Sequence, residues 1–135
     1  MSKTNRRKFL GTAAAICAGT AAAAMPGQTT AKKYPMCHHV FFWLKNPGSK
    51  EDRDALIAGL KTLAKIPTVR DLRVGIVANT EARGVVDTTW GVSELMFFDN
   101  VEGEAAYQVH PIHQEFVKKC SHLWDKVIVY DAMEV

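Results

Sequence analysis

The sequence predicts an α+β domain in which two helices cover one face of a four-stranded antiparallel sheet. Three observations predict it: a strand that is apolar on both faces, an alternation of strand and helix patterns, and a length suited to one core. The chain has 135 residues, of which 47% are hydrophobic. A chain of this size supports a single hydrophobic core better than two.

The first strand is predicted over Cys37 to Leu44, a run rich in Val, Phe and Trp and too short for a typical helix. Alternation along a strand sorts its side chains onto two faces. One face carries His38, Val40, Phe42 and Leu44, and the other carries His39, Phe41 and Trp43. Since both faces are bulky and largely apolar, both should be covered, and the strand should be central.

The first helix is predicted from Ser49 to Ala64. Ser49 and Asp52 have the spacing of a capping box, and Pro67 closes the segment. The remaining elements are a strand over Val69 to Ala78, a polar loop over Asn79 to Thr88, a strand over Trp90 to Phe98, a helix capped by Asn100 that runs from Val101 to about His122 with an interruption at Pro111, and a strand over Lys126 to Met133.

The resulting order is β-α-β-β-α-β, which is the ferredoxin-like split arrangement. Two helices cover only one face of such a sheet, yet the first strand is apolar on both. A second copy of the chain is the simplest cover for the other face, so we expect a homodimer.

The amino terminus predicts export. Arg6 and Arg7 lie in a twin-arginine signature, followed by an apolar, small-residue stretch that ends in Ala24. We expect residues 1–24 to be a cleaved signal, residues 25–36 a linker and residues 37–135 the domain, in the periplasm or otherwise outside the cytoplasm. The apolar stretch is too short to span a bilayer, so no stable membrane association is expected after cleavage.

The formal net charge of +3 arises from four basic residues of the predicted signal, which contains no acidic residue. Without residues 1–24 the chain carries 13 basic and 14 acidic residues, a net charge of −1. This balance gives no electrostatic support for nucleic-acid or anionic-membrane partners. Cys37 and Cys120 are expected to be buried, unpaired thiols, although the sequence leaves a disulfide open.

The segment from Tyr107 to His113, which contains His110 and Pro111, is hard to explain by folding alone. On an unbroken helix Tyr107 and His113 would lie about 120° apart around the axis. A proline removes a backbone hydrogen bond and bends the helix. A break at Pro111 therefore allows both side chains to face one cavity.

These residues resemble the Dabb family, the stress-responsive dimeric α/β-barrel proteins. The resemblance rests on Ala106-Tyr107, His110-Pro111-x-His113, the strand from His38 to Lys45, the Ile66-Pro67 helix end, Trp124, and Val129-Tyr130-Asp131. It covers nearly all of the chain after the linker. It implies a subunit whose sheet packs against that of a second subunit to close a barrel.

The resemblance also implies a site inside the barrel. In plant polyketide cyclases of the family, the matching tyrosine and histidine carry acid-base chemistry, which makes Tyr107 a hydroxyl donor and His113 a general base. The ligand pocket is expected to include His38, Val40, Phe42, Glu94, Met96, His110 and Trp124. The interpretation that both histidines are structural stays open. In it, His110 braces the helix break and His113 is a core histidine whose hydrogen bonds are made within the protein.

Glu94 departs from the cyclase pattern, which has an apolar residue at this position. Trp90, Val92, Glu94, Met96 and Phe98 alternate onto one face of their strand. An inward Glu94 should lie against a histidine or have a raised pKa, because a buried unpaired carboxylate is costly. Such a pocket suits a small hydrogen-bonding ligand better than a long alkyl chain.

Metal and cofactor signals are weak, and no cofactor is expected. His110 and His113 have a spacing that metals use, but no third ligand is evident. Some family members hold a cation on backbone carbonyls at the end of the first helix, which matches Leu63, Ile66 and Val69 here.

The sequence is compatible with three functions. The first is an exported dimeric protein that binds a small ligand without turnover. The second is a cofactor-free cyclase, lyase or isomerase that uses His113 and Tyr107. The third is a monooxygenase-like enzyme built on a related barrel, because a fold does not fix a function.

Overall fold

A computed structural model describes residues 33–135 of the chain. The predicted export signal and most of the predicted linker lie outside the described residues. The main elements are β1 (Met36–Leu44), α1 (Lys50–Thr62), β2 (Asp71–Ile76), β3 (Val92–Phe98), α2 (Val101–Gln108), α3 (Pro111–Cys120) and β4 (Trp124–Met133). Short 3₁₀ turns over Leu63–Lys65 and Ser121–Leu123 follow α1 and α3.

The four strands form one antiparallel sheet in the order β2-β3-β1-β4. The predicted ferredoxin-like topology is confirmed, with β1 paired on both sides. Val40 lies opposite Glu94 on β3 and Val129 on β4. This register places the matching residues of three strands on the same face of the sheet.

The predicted cap of α1 is confirmed in part. The Ser49 hydroxyl accepts a hydrogen bond from the Asp52 backbone N–H at 3.1 Å. The Ser49 N–H donates to the Asn46 carbonyl instead of to the Asp52 carboxylate, so the reciprocal half of the capping box does not form. The α-helix ends at Thr62, two residues before the predicted end at Ala64, because the chain tightens into a 3₁₀ turn.

The second predicted helix is in fact two helices. The break falls at Val109 and His110, and Pro111 is the first residue of α3. His110 caps α3, since its Nδ1 accepts a hydrogen bond from the Ile112 N–H at 3.1 Å. Proline suits a first helical position, because its fixed φ favours the helix. An N–H at this position would have no partner within the helix, so its absence costs no hydrogen bond.

The strand boundaries also differ from prediction. β2 covers only Asp71–Ile76, and β4 begins earlier, at Trp124. β3 begins at Val92, so the predicted alternation holds from there to Phe98 but does not reach Trp90. Trp90 lies on the opposite face of the sheet, with its ring centroid 5.1 Å from that of Phe41.

The core lies between the sheet and the helices. Fully buried side chains include Leu56, Leu60 and Leu63 from the first helical segment and Val92, Met96 and Phe98 from β3. The opposite face is partly exposed and rich in aromatic and aliphatic side chains. This open face consists of His39, Phe41, Trp43, Leu95, Phe97, Ile128 and Tyr130.

Both cysteines of the described chain are free. Cys120 is buried, as expected, but Cys37 is only half-buried. None of the helices within residues 33–135 is long and apolar enough to cross a membrane.

Candidate functional site

A cavity of about 160 Å³ lies between the sheet and the helices α2 and α3. Its polar wall contains His38, Glu94, Tyr107 and His113. Its apolar wall includes Val40, Phe42 and Trp124. The structure therefore brings seven of the predicted site residues together, drawn from β1, β3, β4 and the helix pair α2–α3.

The predicted site is inside the barrel, on the face of β1 that carries His38. In the structure these side chains lie on the helix-facing side of the sheet, opposite to Phe41 and Trp43. Two predicted members are not part of the wall. Met96 is buried in the core, and His110 caps α3.

A larger open groove of about 510 Å³ lies between α1 and α3. Its walls include Lys65, Glu115, Lys119 and Cys120. None of the predicted site residues lines it, so the smaller cavity is the candidate site despite its size.

The helix break brings Tyr107 and His113 together, with ring centroids 4.5 Å apart. The Nδ1 atom of His113 lies 2.9 Å from the Gln108 backbone carbonyl oxygen. A carbonyl oxygen only accepts hydrogen bonds, so Nδ1 carries the proton and Nε2 of the neutral ring keeps its lone pair. Burial lowers the pKa of His113, which favours this neutral, basic form.

Glu94 and Tyr107 form a buried pair. The Tyr107 hydroxyl donates a hydrogen bond to Glu94 Oε1 at 3.3 Å, and Glu94 is 1% exposed. Burial raises the pKa of Glu94 to about 8, so its carboxyl is largely protonated at neutral pH. Burial and the neighbouring carboxyl also raise the pKa of Tyr107, which keeps its hydroxyl a donor. The sequence predicts that an inward Glu94 has either a raised pKa or a histidine partner. In the structure its pKa is raised, and its hydrogen-bond partner is Tyr107.

His38 is oriented by a carboxylate. Its Nδ1 lies 2.6 Å from Asp131 Oδ1 and 3.8 Å from Glu104 Oε1, and the residue is 3% exposed. The ring edge also approaches Tyr107, with centroids 5.8 Å apart. Asp131 fixes the imidazole so that Nε2 is the free ring nitrogen.

Sequence reasoning missed Asp131, Glu104 and Gln108 as parts of the site. The signal for Asp131 lay in the pairing of β1 with β4, where His38 and Asp131 are direct partners. Gln108 acts through its backbone carbonyl, which leaves no signature in the sequence.

The predicted backbone cation site lies at the end of the first helix. The Leu63 carbonyl accepts a hydrogen bond from the Ile66 N–H at 3.1 Å, and the Ile66 carbonyl accepts one from the Val69 N–H at 3.0 Å. Two of the three predicted carbonyls thus already have a partner. Within residues 33–135 no group of three His, Cys, Asp or Glu side chains is placed to hold a metal ion.

The sequence profile of the stress-responsive A/B barrel domain, abbreviated Dabb, matches residues 36–134. The chain belongs to the Dabb family. The profile spans the whole sheet and all three helices, which confirms the resemblance seen in the sequence. No curated protein matches this Dabb chain.

Several solved structures share the Dabb fold. A Dabb-family protein from Mesorhizobium loti has 20% identity and a TM-score of 0.61, over 74% of this chain and 96% of its own. A dimeric ferredoxin-like protein of unknown function from Jannaschia sp. has 26% identity and a TM-score of 0.55, over 74% and 98%. The hydroxynitrile lyase of Passiflora edulis has 21% identity and a TM-score of 0.62, over 74% and 93%.

These likenesses establish the ferredoxin-like fold of this Dabb protein. Structural neighbours from three organisms are described as dimeric, which supports the expected homodimer.

Proposed function

We propose that this protein catalyses cofactor-free proton transfer on a small uncharged carbonyl compound, as a lyase or isomerase. The observation that carries the proposal is the fixed tautomer of His113 beside Tyr107. The Gln108 carbonyl holds the proton on Nδ1, so the neutral ring presents a lone pair at Nε2. A base and a hydroxyl donor then share one cavity.

The proposed step begins with a carbonyl compound in the cavity. His113 Nε2 takes a proton from the carbon next to the carbonyl, and the C–H electron pair moves to give an enolate. The Tyr107 hydroxyl donates a hydrogen bond to the developing oxyanion. The imidazolium of His113 then returns its proton to carbon or oxygen, which restores the base and balances the step.

Cavity size limits the substrate. A volume of about 160 Å³ resembles that of cavities that hold a benzene-sized molecule. A long alkyl chain would extend well beyond this volume, which disfavours the polyketide-cyclase interpretation. The Passiflora neighbour is a hydroxynitrile lyase, so the fold is compatible with lyase chemistry.

Binding without turnover is the second candidate, and one contact favours it. The Tyr107 hydroxyl already donates to Glu94, so it must exchange that partner for a substrate oxygen. If the exchange is unfavourable, the cavity holds its ligand without activating it.

The test is hydrogen exchange at the α-carbons of cyclohexanone in D₂O, followed by NMR. We expect protein-dependent exchange that falls by a factor of about 100 or more in His113→Gln and by at least about 10 in Tyr107→Phe. The control is His122→Gln, an exposed histidine after α3, which should leave the rate unchanged. Cyclohexanone that binds without any exchange would favour the binding reading.

We also propose that the protein is a homodimer closed by the open face. Phe41, Trp43 and Tyr130 lie on this face, and no helix within residues 33–135 covers it. Phe41→Glu or Trp43→Glu should give a monomer or an insoluble chain in size-exclusion chromatography with light scattering. Val109→Glu, at an exposed position on the helix side, is the control. A soluble dimer of the Phe41 and Trp43 variants would refute this interface.

Export is the third part of the proposal and rests on the sequence alone. Arg6 and Arg7 precede an apolar, small-residue stretch. Replacing both by lysine should retain the full-length chain in the cytoplasm of a bacterial host, while the unchanged chain yields a shortened periplasmic form detectable by mass spectrometry. A periplasmic form of the variant would contradict a twin-arginine route.

A further inference from the structure

Glu94 lies in apolar surroundings on the sheet. Along β3 its neighbours on the same face are Val92 and Met96, both fully buried. Across the sheet it pairs with Val40 on β1 and Val74 on β2. Aliphatic side chains therefore surround the carboxyl group within the sheet, and none of them can stabilise a charge.

Among residues 33–135, the polar surroundings of Glu94 contain no lysine or arginine. Its one hydrogen bond within the described chain comes from Tyr107 on α2. The other titratable groups near this end of the cavity are His38 on β1, Glu104 on α2, His113 on α3 and Asp131 on β4. No lysine or arginine forms an ion pair with Glu94 there, and two of these neighbours are acids.

A protonated carboxyl group has a defined hydrogen-bonding capacity. Its carbonyl oxygen accepts, and its hydroxyl donates one hydrogen bond. The Tyr107 hydroxyl already donates a hydrogen bond to Glu94 Oε1. The acid proton on Oε2 is therefore available to a molecule in the cavity. A ligand oxygen with a lone pair satisfies this donor, whereas an anionic ligand would meet no lysine or arginine in the wall of this cavity.

We propose that Glu94, kept as an uncharged acid by these surroundings, restricts the cavity to small uncharged ligands that carry a hydrogen-bond acceptor. The proposal takes its site from the proposed function but does not depend on turnover. When Glu94 ionises, the cavity loses a donor and gains a negative charge next to the ligand oxygen. Ligand binding should then weaken.

The test compares three probes of similar size by NMR titration of the wild-type protein at pH 6 to 9. Cyclohexanone offers an uncharged acceptor, cyclopentanecarboxylate is an anion, and methylcyclohexane has no acceptor. Because the pKa of Glu94 is raised to about 8, cyclohexanone should bind about ten-fold more weakly at pH 9 than at pH 6. The carboxylate should bind at least about ten-fold more weakly than the ketone at every pH.

Two variants separate the charge of Glu94 from its shape. Glu94→Gln keeps the size and an amide donor, so ketone binding should persist and lose its pH dependence between pH 6 and 9. Glu94→Met removes this donor but leaves the Tyr107 hydroxyl, so the preference for cyclohexanone over methylcyclohexane should shrink and should no longer change between pH 6 and 9. Far-UV circular dichroism establishes whether each variant is folded. If Glu94→Met does not fold, Glu94→Gln alone tests the proposal.

Four results would overturn the proposal. They are a ketone affinity that does not change from pH 6 to 9, a carboxylate that binds as tightly as the ketone, the same pH dependence in Glu94→Gln, and no binding of any probe to the wild-type cavity. Failure of the proposed function gives a different result from failure of this proposal. In that case cyclohexanone binds with the expected selectivity, but His113 does not accelerate its hydrogen exchange.

Discussion

Replacing Glu94 by glutamine should change how the stability of the protein depends on pH. Glutamine keeps the size of the side chain and can still accept the hydrogen bond from Tyr107 at Oε1. It removes the group that binds a proton in the folded state. Any difference in pH dependence between wild type and variant therefore reports on this one carboxyl group.

The direction follows from the two pKa values. The ordinary pKa of the carboxyl is 4.5, and burial raises it to about 8 in the folded protein. Between these values the folded state keeps a proton that the unfolded state has released, so the free energy of unfolding falls as pH rises. Below pH 4.5 and above pH 8 this contribution is constant.

The magnitude comes from the same shift. Each pH unit inside the window changes the unfolding free energy by about 1.4 kcal/mol. From pH 5 to pH 7 the wild type should lose roughly 2 to 3 kcal/mol that Glu94→Gln does not lose. His113 and His39, whose pKa values burial lowers, contribute equally to both proteins and cancel in the difference.

Urea unfolding at pH 5, 6, 7 and 8, at one protein concentration, measures this difference. Glu81→Gln, in the exposed loop before β3, is the matched control and should follow the wild type. Parallel curves for wild type and Glu94→Gln would refute the reasoning, since they would mean that Glu94 is charged in the folded protein.

Three further outcomes follow from local contacts. Gly59→Ala should destabilise the protein by about 1 to 3 kcal/mol, because a Cβ there would lie 2.5 Å from Cys120 Sγ, and adding Cys120→Ala should recover part of the loss in urea unfolding. Asn100→Ala should cost about 1 kcal/mol in the same assay, because the Asn100 side chain accepts the Gly103 N–H at 2.8 Å to cap α2. Nitrogen-15 NMR should show His113 with its proton on Nδ1 and a pKa below 6.5; a proton on Nε2 would contradict the assigned base.

The topology could be predicted because each element carries its own local signal. The alternation in β1, the Ser49 cap and the Asn100 cap each specify a local structure that the fold retains. The alternating pattern predicts the wrong face for Trp90, because this residue precedes the start of β3 at Val92. Alternation places residues on a common face only while the strand is continuous.

The site could be predicted only in part. Alternation puts His38 and Glu94 on defined faces of their strands, but it does not show which helix residues lie against them. The contacts of His38 with Asp131 and of His113 with the Gln108 carbonyl depend on strand register and on the helix break. Register and loop geometry are set by the whole fold and have no short sequence signature.

The pH dependence of α-hydrogen exchange in cyclohexanone shows whether His113 and Glu94 act together on a ligand in the cavity. The rate should rise with pH as His113 becomes neutral below pH 6.5, remain level near pH 7, and fall above about pH 8 as Glu94 ionises. The falling limb should disappear in Glu94→Gln. An exchange rate that only follows hydroxide, equally with and without the protein, would contradict the role of His113 as the base in this cavity.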